Sequence, residues 1–305
     1  MHQEKKQFGQ VALLGAPNAG KSTLVNVLAG QKVSIVSKKP QTTRFRLTAI
    51  IEYGKAQMGM IDTPGIFYAK DSFDKKMVKM AWQALEQIDE VVLLIAADTA
   101  ISDNVEYILH HLSLMKRSVI AVINKIDKVK KEKLLVLAEK LSKQDRVEQV
   151  MMISALKKDG VDDLLKTLIA RLPNGEWGYD SQMVSDLPDR LFAAEILREK
   201  LLYYLHQELP YCLAVETEVW RLEKNAKSKK TILHIYQIIH IEKENHRAMI
   251  LGRGGKNLKT IASAARGEME NIFEQKIFLK IFIRLTPHWQ TQTSNYPFLF
   301  SNVGA

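Results

Sequence analysis

The chain has 305 residues, of which 46% are hydrophobic and 26% charged, with 15 Gly, 8 Pro and one Cys. That balance excludes a disordered, collagen-like or low-complexity chain, and the length suits about two domains at roughly 150 residues each. The lone Cys212 excludes an internal disulfide and a cysteine-rich zinc site, and the formal charge of +10 favours an acidic partner such as nucleic acid or anionic lipid.

The charge is uneven. Residues 1–173 carry 27 basic and 19 acidic side chains, whereas the remainder is only +2, so nucleic-acid binding there must rest on a local patch. The opening MHQEKKQFGQ has no apolar leader core. The most apolar runs, such as VVLLIAA at 91–97, fall short of the roughly 20 residues of a membrane span. The expectation is a cytoplasmic monomer, with room for peripheral attachment to the inner membrane.

From the start, short apolar runs alternate with amphipathic ones. FGQVALLG (8–15), QMGMID (57–62), EVVLLIAA (90–97), SVIAVIN (118–124) and QVMMIS (149–154) read as buried strands. Segments 21–30, 72–87, 101–116, 130–143 and 160–171 read as helices. Such alternation implies an α/β domain with a mostly parallel sheet and helices on both faces. RFRLTAIIEY (44–53) adds a strand joined to 57–62 by a hairpin at Gly54. LPNGEWGYDSQMVSDLP, rich in Pro, Gly, Ser and Asp, reads as an interdomain linker. A helix capped by Asp189 follows. Then come strands at 213–222 and 231–242, helices at 246–251 and 256–273 broken by GRGG, and a strand at 277–285. The boundaries expected are therefore 1–173, a linker over 174–188, a smaller α+β domain over 189–289, and an irregular tail over 290–305.

Gly15-Ala16-Pro17-Asn18-Ala19-Gly20-Lys21-Ser22 matches G-x-x-x-x-G-K-[ST] between a strand and a helix, which reads as a P-loop. The glycines let successive N–H groups converge on one phosphate, and the helix start, including Thr23, adds its dipole. Lys21 would reach the β- and γ-phosphates, and Ser22 offers a hydroxyl to Mg²⁺. Asp62-Thr63-Pro64-Gly65 ends a strand, with Asp62 placed to hold Mg²⁺ and the Gly65 N–H to sense the γ-phosphate. In Asn124-Lys125-Ile126-Asp127, the Asp127 carboxylate can accept two hydrogen bonds from guanine, which adenine cannot donate. Ser154-Ala155 can supply a backbone N–H to the guanine O6. All lie at C-terminal strand ends, around one crevice. GTP and GDP are the expected ligands, and an ATPase is disfavoured by Asp127. Position 66, where many small GTPases hold a water-orienting glutamine, is Ile66, so intrinsic turnover should be slow.

Gly252-Arg253-Gly254-Gly255 between two helices reads as the GxxG loop of a type II KH module, which clamps a single nucleic-acid strand. Arg253, Lys256 and Lys259 add charge, and bases would lie on an apolar groove including Ile250 and Ile261. The eight His show no metal-ligand spacing.

The first 170 residues or so resemble the translation-factor-like GTPases. A single GTPase domain followed by a GxxG-bearing KH domain, together with EILREKLLYYLHQELPYCLAVE (195–216), resembles the Era family. Gln41-Thr42-Thr43-Arg44 resembles its switch I. The resemblance implies that Thr43 is the switch threonine on Mg²⁺, beside Lys21 and Gly65 as catalytic groups. In relatives that use potassium, an asparagine at the place of Asn18 coordinates K⁺. The resemblance further implies RNA binding at the 3′ end of small-subunit ribosomal RNA and a role in maturing the small ribosomal subunit. The rival reading is a membrane-associated signalling GTPase whose C-terminal domain binds protein or lipid. The aromatic, uncharged SNYPFLFSNVGA departs from the charged ending usual in that family.

Overall fold

The computed structural model of the chain describes residues 6–37, 39, 42–69, 72–99, 101–205, 209, 213–224, 231–287 and 289. Cys212, Gln41, the basic loop 225–230 and the tail 290–305 lie outside the described residues. The chain divides into two compact units between Asp186 and Leu187.

In the first unit six strands form one sheet in the order β2-β3-β1-β4-β5-β6. They are β1 (Gln7–Leu14), β2 (Leu47–Tyr53), β3 (Ala56–Asp62), β4 (Glu90–Ala96), β5 (Val119–Asn124) and β6 (Val147–Met152). The β2–β3 hairpin is antiparallel, and the other neighbours are parallel. Gly54 turns the hairpin at φ 59°, a left-handed value that glycine adopts without strain.

The strands are apolar on both faces because both faces are covered. On one side Val11, Leu13, Met58, Met60, Leu94 and Val122 pack under α1 (Lys21–Leu28) and α5 (Val161–Arg171). On the other, Ala12, Leu14, Leu93, Ile95 and Ile123 pack under α2 (Ser72–Gln83), α3 (Asp103–Leu114) and α4 (Lys131–Ser142). The α2 helix stops at Gln83, short of the expected 87: Leu85 N and Glu86 N donate to the carbonyls three residues back, each at 3.1 Å, and Gln87 then takes φ 57°. A helix cannot continue through that conformation.

Residues 174–186, read from composition as a linker, are bound along the first unit. Gly175 N donates to Lys6 O at 3.0 Å, Trp177 Nε1 to Lys55 O at 3.0 Å and Tyr179 N to Gln57 Oε1 at 2.9 Å. Ile50 N donates to Val184 O, and Asp186 N to Thr48 O, both at 3.0 Å. β2 is an edge strand, whose unpaired backbone groups accept such an addition. Gly178 permits the approach, since a Cβ there would lie 2.3 Å from the Phe8 ring.

The second unit is a smaller α+β module. α6 (Asp189–Tyr204) and α8 (Lys256–Ile272) pack on a three-stranded sheet of order β7-β8-β9, with the short α7 (Glu244–Leu251) just before α8. β7 (Leu213–Lys224) is antiparallel to β8 (Thr231–Ile241), and β9 (Lys276–Leu285) is parallel to β8. Asp189 is the first helical residue rather than the cap, a position taken by Pro188 at φ −60°. α6 also buries charge. Glu195 and Arg198 are paired inside, and Lys200 bridges Glu199 and Glu268. Ile250 and Ile261, expected in a nucleic-acid groove, are both 0% exposed. They belong to the core, where i, i+3 and i+4 neighbours of an amphipathic helix point.

Candidate nucleotide and nucleic-acid sites

The phosphate loop spans the end of β1 to the start of α1. Its two glycines are needed for different contacts. A Cβ on Gly15 would lie 2.5 Å from Leu94 O, and one on Gly20 would lie 2.3 Å from Asn124 Nδ2, at φ 156° and 100° respectively. Asn18, exposed at the tip, holds φ 62°, which asparagine tolerates better than most residues. Pro17 touches Gly65, where a side chain would approach the Pro17 nitrogen to 2.9 Å. Ile66 N closes the contact by donating to Gly15 O at 3.1 Å. The Ile66 side chain is fully buried in the core below, so it supplies nothing to the crevice.

Lys21 is buried, and its ammonium donates to Gly15 O at 2.9 Å and Ala16 O at 3.2 Å. Burial lowers its pKa to about 8, while the Asp62 charge pulls it upward. Ala19 is buried in the same loop, and Thr23 follows Ser22 in the first turn of α1.

Ser22, Thr43 and Asp62 converge. Ser22 Oγ lies 2.9 Å from Thr43 Oγ1 and donates to Asp62 Oδ2 at 2.9 Å. Thr42 points elsewhere, donating to Lys39 O at 2.7 Å. Ser34, which the sequence did not single out, also donates to Asp62 Oδ2, at 3.0 Å. Asn26 fixes that loop, since its Oδ1 accepts from Val33 N and Ser34 N, each at 2.9 Å. The available signal was a polar residue four positions after Ser22, within the otherwise apolar run of α1. Asp62 is fully buried, and its Oδ1 has no hydrogen-bond partner. Burial raises its pKa, opposed by Lys21 and the hydroxyls of Ser22, Ser34 and Thr43. A buried carboxylate with a spare oxygen beside two hydroxyls is a hard-oxygen donor set, which fits Mg²⁺. Thr63 Oγ1 instead braces the strand, donating to Leu13 O at 2.9 Å, and Pro64 is buried beside it.

At the other end of the crevice Asn124 ties two loops together. Its Nδ2 donates to Ala19 O, and its Oδ1 accepts from Ala155 N, both at 2.9 Å. Of the Ser154-Ala155 pair, expected to offer a backbone N–H to a base, Ser154 N donates to Asp159 O at 2.9 Å and Ala155 N to Asn124 Oδ1. Ser154 Oγ donates to Asp127 Oδ1 at 2.6 Å, holding an exposed carboxylate in place. Lys125 takes φ 62° and pairs with Asp98 at 3.4 Å, as does Lys128 at 3.3 Å.

In the second unit Gly252, Gly254 and Gly255 all have positive φ, at 67°, 61° and 75°. A Cβ on Gly252 would meet Asn257 at 2.5 Å, whereas Gly254 and Gly255 face open space. The loop thus presents bare backbone at the start of α8, with Arg253, Lys256 and Lys259 exposed around it. Among the described residues no cluster of three or more His, Cys, Asp or Glu side chains is placed to hold a metal. His240 instead bonds Glu216 at 3.0 Å.

Comparison with known proteins places these features in a family. Residues 10–125 match the 50S ribosome-binding GTPase family, and residues 208–290 match the KH domain family. The chain is 42% identical to GTPase Era of Afipia carboxidovorans over 288 residues, covering 94% of this chain and 92% of that protein. It is 43% identical to GTPase Era of Rhizobium meliloti over 281 residues, covering 92% and 88%. A variant of Aquifex aeolicus Era bound to GDP·AlF4⁻ superposes with a TM-score of 0.90 at 36% identity, covering 97% of this chain and 99% of that one. Era in complex with MgGDPNP and nucleotides 1506–1542 of 16S ribosomal RNA gives 0.91 at the same identity and coverage. With a phosphate loop, an Asp127 loop and a GxxG module in one chain, and 42% and 43% identity to the Afipia and Rhizobium proteins along nearly its whole length, it is a GTPase of the Era family.

Proposed function

We propose that the chain is a GTP-driven switch that binds single-stranded RNA at the 3′ end of small-subunit ribosomal RNA and assists maturation of that subunit. The observation that carries the reading is one chain holding both a Ser22–Thr43–Asp62 oxygen cluster at a phosphate loop and an open, cation-flanked glycine loop. The Era structure solved with 16S ribosomal RNA and MgGDPNP supports both halves.

In this reading the N–H groups of Gly15–Thr23 cradle the phosphates, and Lys21 turns its ammonium from the Gly15 and Ala16 carbonyls to the β- and γ-oxygens. Ser22, Thr43 and Asp62 would hold Mg²⁺, which when bound would offset the negative charge of the phosphates. The Gly65 N–H senses the γ-phosphate, and its contact with Pro17 makes the segment after it responsive to what fills the loop. Asp127, braced by Ser154, accepts the guanine donors. Lys125 and Asn124 shape the base pocket, and Ala155 closes it through Asn124. With Ile66 in the core, no side chain at that position orients water, so turnover is slow without an activator. Asn18 is the residue that would hold K⁺, which would supply positive charge during hydrolysis. Turnover faster in K⁺ than in Na⁺, and levelled by Asn18→Ala, is the expected result; equal rates in both salts would remove the assignment.

Gly252–Gly255 bring backbone against the RNA strand, and Arg253, Lys256 and Lys259 neutralise its phosphates. The protein is assigned to the cytoplasm, acting on the small ribosomal subunit as a monomer, with peripheral membrane attachment open to lipid-binding assay. No helix among the described residues is long and apolar enough to cross a membrane.

The decisive test is titration of a labelled small-subunit rRNA 3′-end oligonucleotide, with GDP and with a non-hydrolysable GTP analogue, at several salt concentrations. Tighter binding in the GTP form is expected. Equal binding in both forms, erased by moderate salt, would refute the switch.

A further inference from the structure

The first unit carries a cleft of about 820 Å³ lined by α2, Tyr107 of α3, Met115 and Arg117 just past that helix, and the segment that follows Gly65. No phosphate-loop residue lines it. Its walls are aromatic. The Tyr68 and Tyr107 rings lie 4.7 Å apart, and Trp82 lies 6.4 Å from Tyr107. Tyr68 is 59% exposed, a large apolar surface left facing water. Trp82 carries a buried indole N–H with no acceptor. Among the described residues that line it, three are cations, Lys75, Lys79 and Arg117, and one is an acid, Glu86.

The geometry points to a docking site for an acidic segment of a partner protein, which rests one apolar side chain against the wall of Tyr68, Trp82 and Tyr107 and sets its carboxylates against Lys75, Lys79 and Arg117. A protein segment suits the cleft better than RNA. The rings are tilted against each other, at 48° and 65°, and wall a concavity rather than lying open as a stacking platform. Lys75 and Lys79 lie one helical turn apart on α2, a spacing that brackets a single anchor. Because Phe67 and Tyr68 also line this cleft, the segment leaving Gly65 forms part of the docking surface. The site itself stands independently of the RNA reading.

The test uses the full chain with a bound GTP analogue. A random dodecapeptide library displayed on phage is selected on it and counter-selected on the Lys79→Glu/Gln83→Glu double variant. Both positions are exposed on α2, and the variant's melting temperature and GDP affinity serve as fold controls. Enriched peptides should carry Asp or Glu around an apolar residue and lose at least about tenfold in affinity on the variant. They should also shift the Trp82 indole N–H resonance. Peptides that are basic, that bind the variant equally, or that leave that resonance unmoved would overturn the proposal, as would absence of enrichment. Oligouridylate binding that the variant weakens, without any acidic-peptide binding, would make the cleft an RNA surface and likewise overturn it.

Discussion

Asp186 and Thr48 are joined twice. The Thr48 N–H donates to the Asp186 carboxylate at 2.7 Å, and the Asp186 N–H donates to the Thr48 carbonyl at 3.0 Å. Thr48 lies five residues after Thr43, at the oxygen cluster, and Asp186 is the last residue before the second unit. The pair therefore anchors the end of the strap to the strand that leaves the nucleotide site. Asp186→Ala leaves the Thr48 N–H without its acceptor and should cost about 1–3 kcal/mol in urea unfolding. It should also shrink the difference in RNA affinity between GDP and GTP-analogue forms.

The same pair predicts a pH effect. Burial raises the Asp186 pKa, outweighing its hydrogen bonds. The folded chain thus holds that proton more tightly than the unfolded one. Its contribution to stability is fully present below the unfolded carboxyl pKa of about 3.9 and is lost as pH rises through the raised folded value. Asp186→Asn keeps an acceptor for Thr48 and removes the ionisation. Urea midpoints measured across pH should show the variant equal or superior near neutrality, with that advantage fading in acid.

Asn124 is 2% exposed and joins Ala19 to Ala155. Asn124→Ala removes both hydrogen bonds and leaves a buried carbonyl and N–H unpartnered. At about 1 kcal/mol or more for each, GDP should bind roughly tenfold to a hundredfold more weakly. Fluorescent-nucleotide titration reads this directly, and an unchanged affinity would show that the two loops need no tie.

Asp127→Asn tests base selection. The carboxylate can accept two hydrogen bonds from guanine, and an amide offers one acceptor and one donor, which suits xanthine. GTP affinity should fall on the order of a hundredfold or more while XTP affinity rises. Competition between the two nucleotides measures the switch.

Gly254→Asp isolates the glycine loop. No atom lies within 4 Å of a Cβ built there, and its φ of 61° is one that aspartate tolerates. The fold and GDP binding should survive, while RNA affinity falls at least about tenfold by repulsion from phosphate. Lys259→Ala should weaken RNA binding more mildly and reduce the salt slope by about one. Melting curves and salt-dependent anisotropy separate these outcomes from unfolding.

Much of this molecule was legible along the chain because the relevant physics is local. A phosphate loop needs glycines at fixed spacing and a helix start, and Gly15–Ser22 states that in eight consecutive residues. Strands covered on both faces are mostly apolar, so β4, β5 and the Val11–Leu14 half of β1 were visible as unbroken runs. Ile66 declared by its chemistry that it could not orient water. Proximity across the sequence was another matter. Ser34 reaches Asp62 only because Asn26 folds its loop inward, and Trp82 meets Tyr107 only because α2 and α3 share one face of the sheet. Residues 174–186 have the composition of a free linker, and only an edge strand with unpaired backbone groups made them a strap. Ile250 and Ile261 flank the glycine loop in sequence, yet helical geometry turns them into the core. The order of residues determined the chemistry each group can perform. Long-range pairing of backbone and apolar faces decided which groups meet, because that depends on surfaces contributed by distant segments.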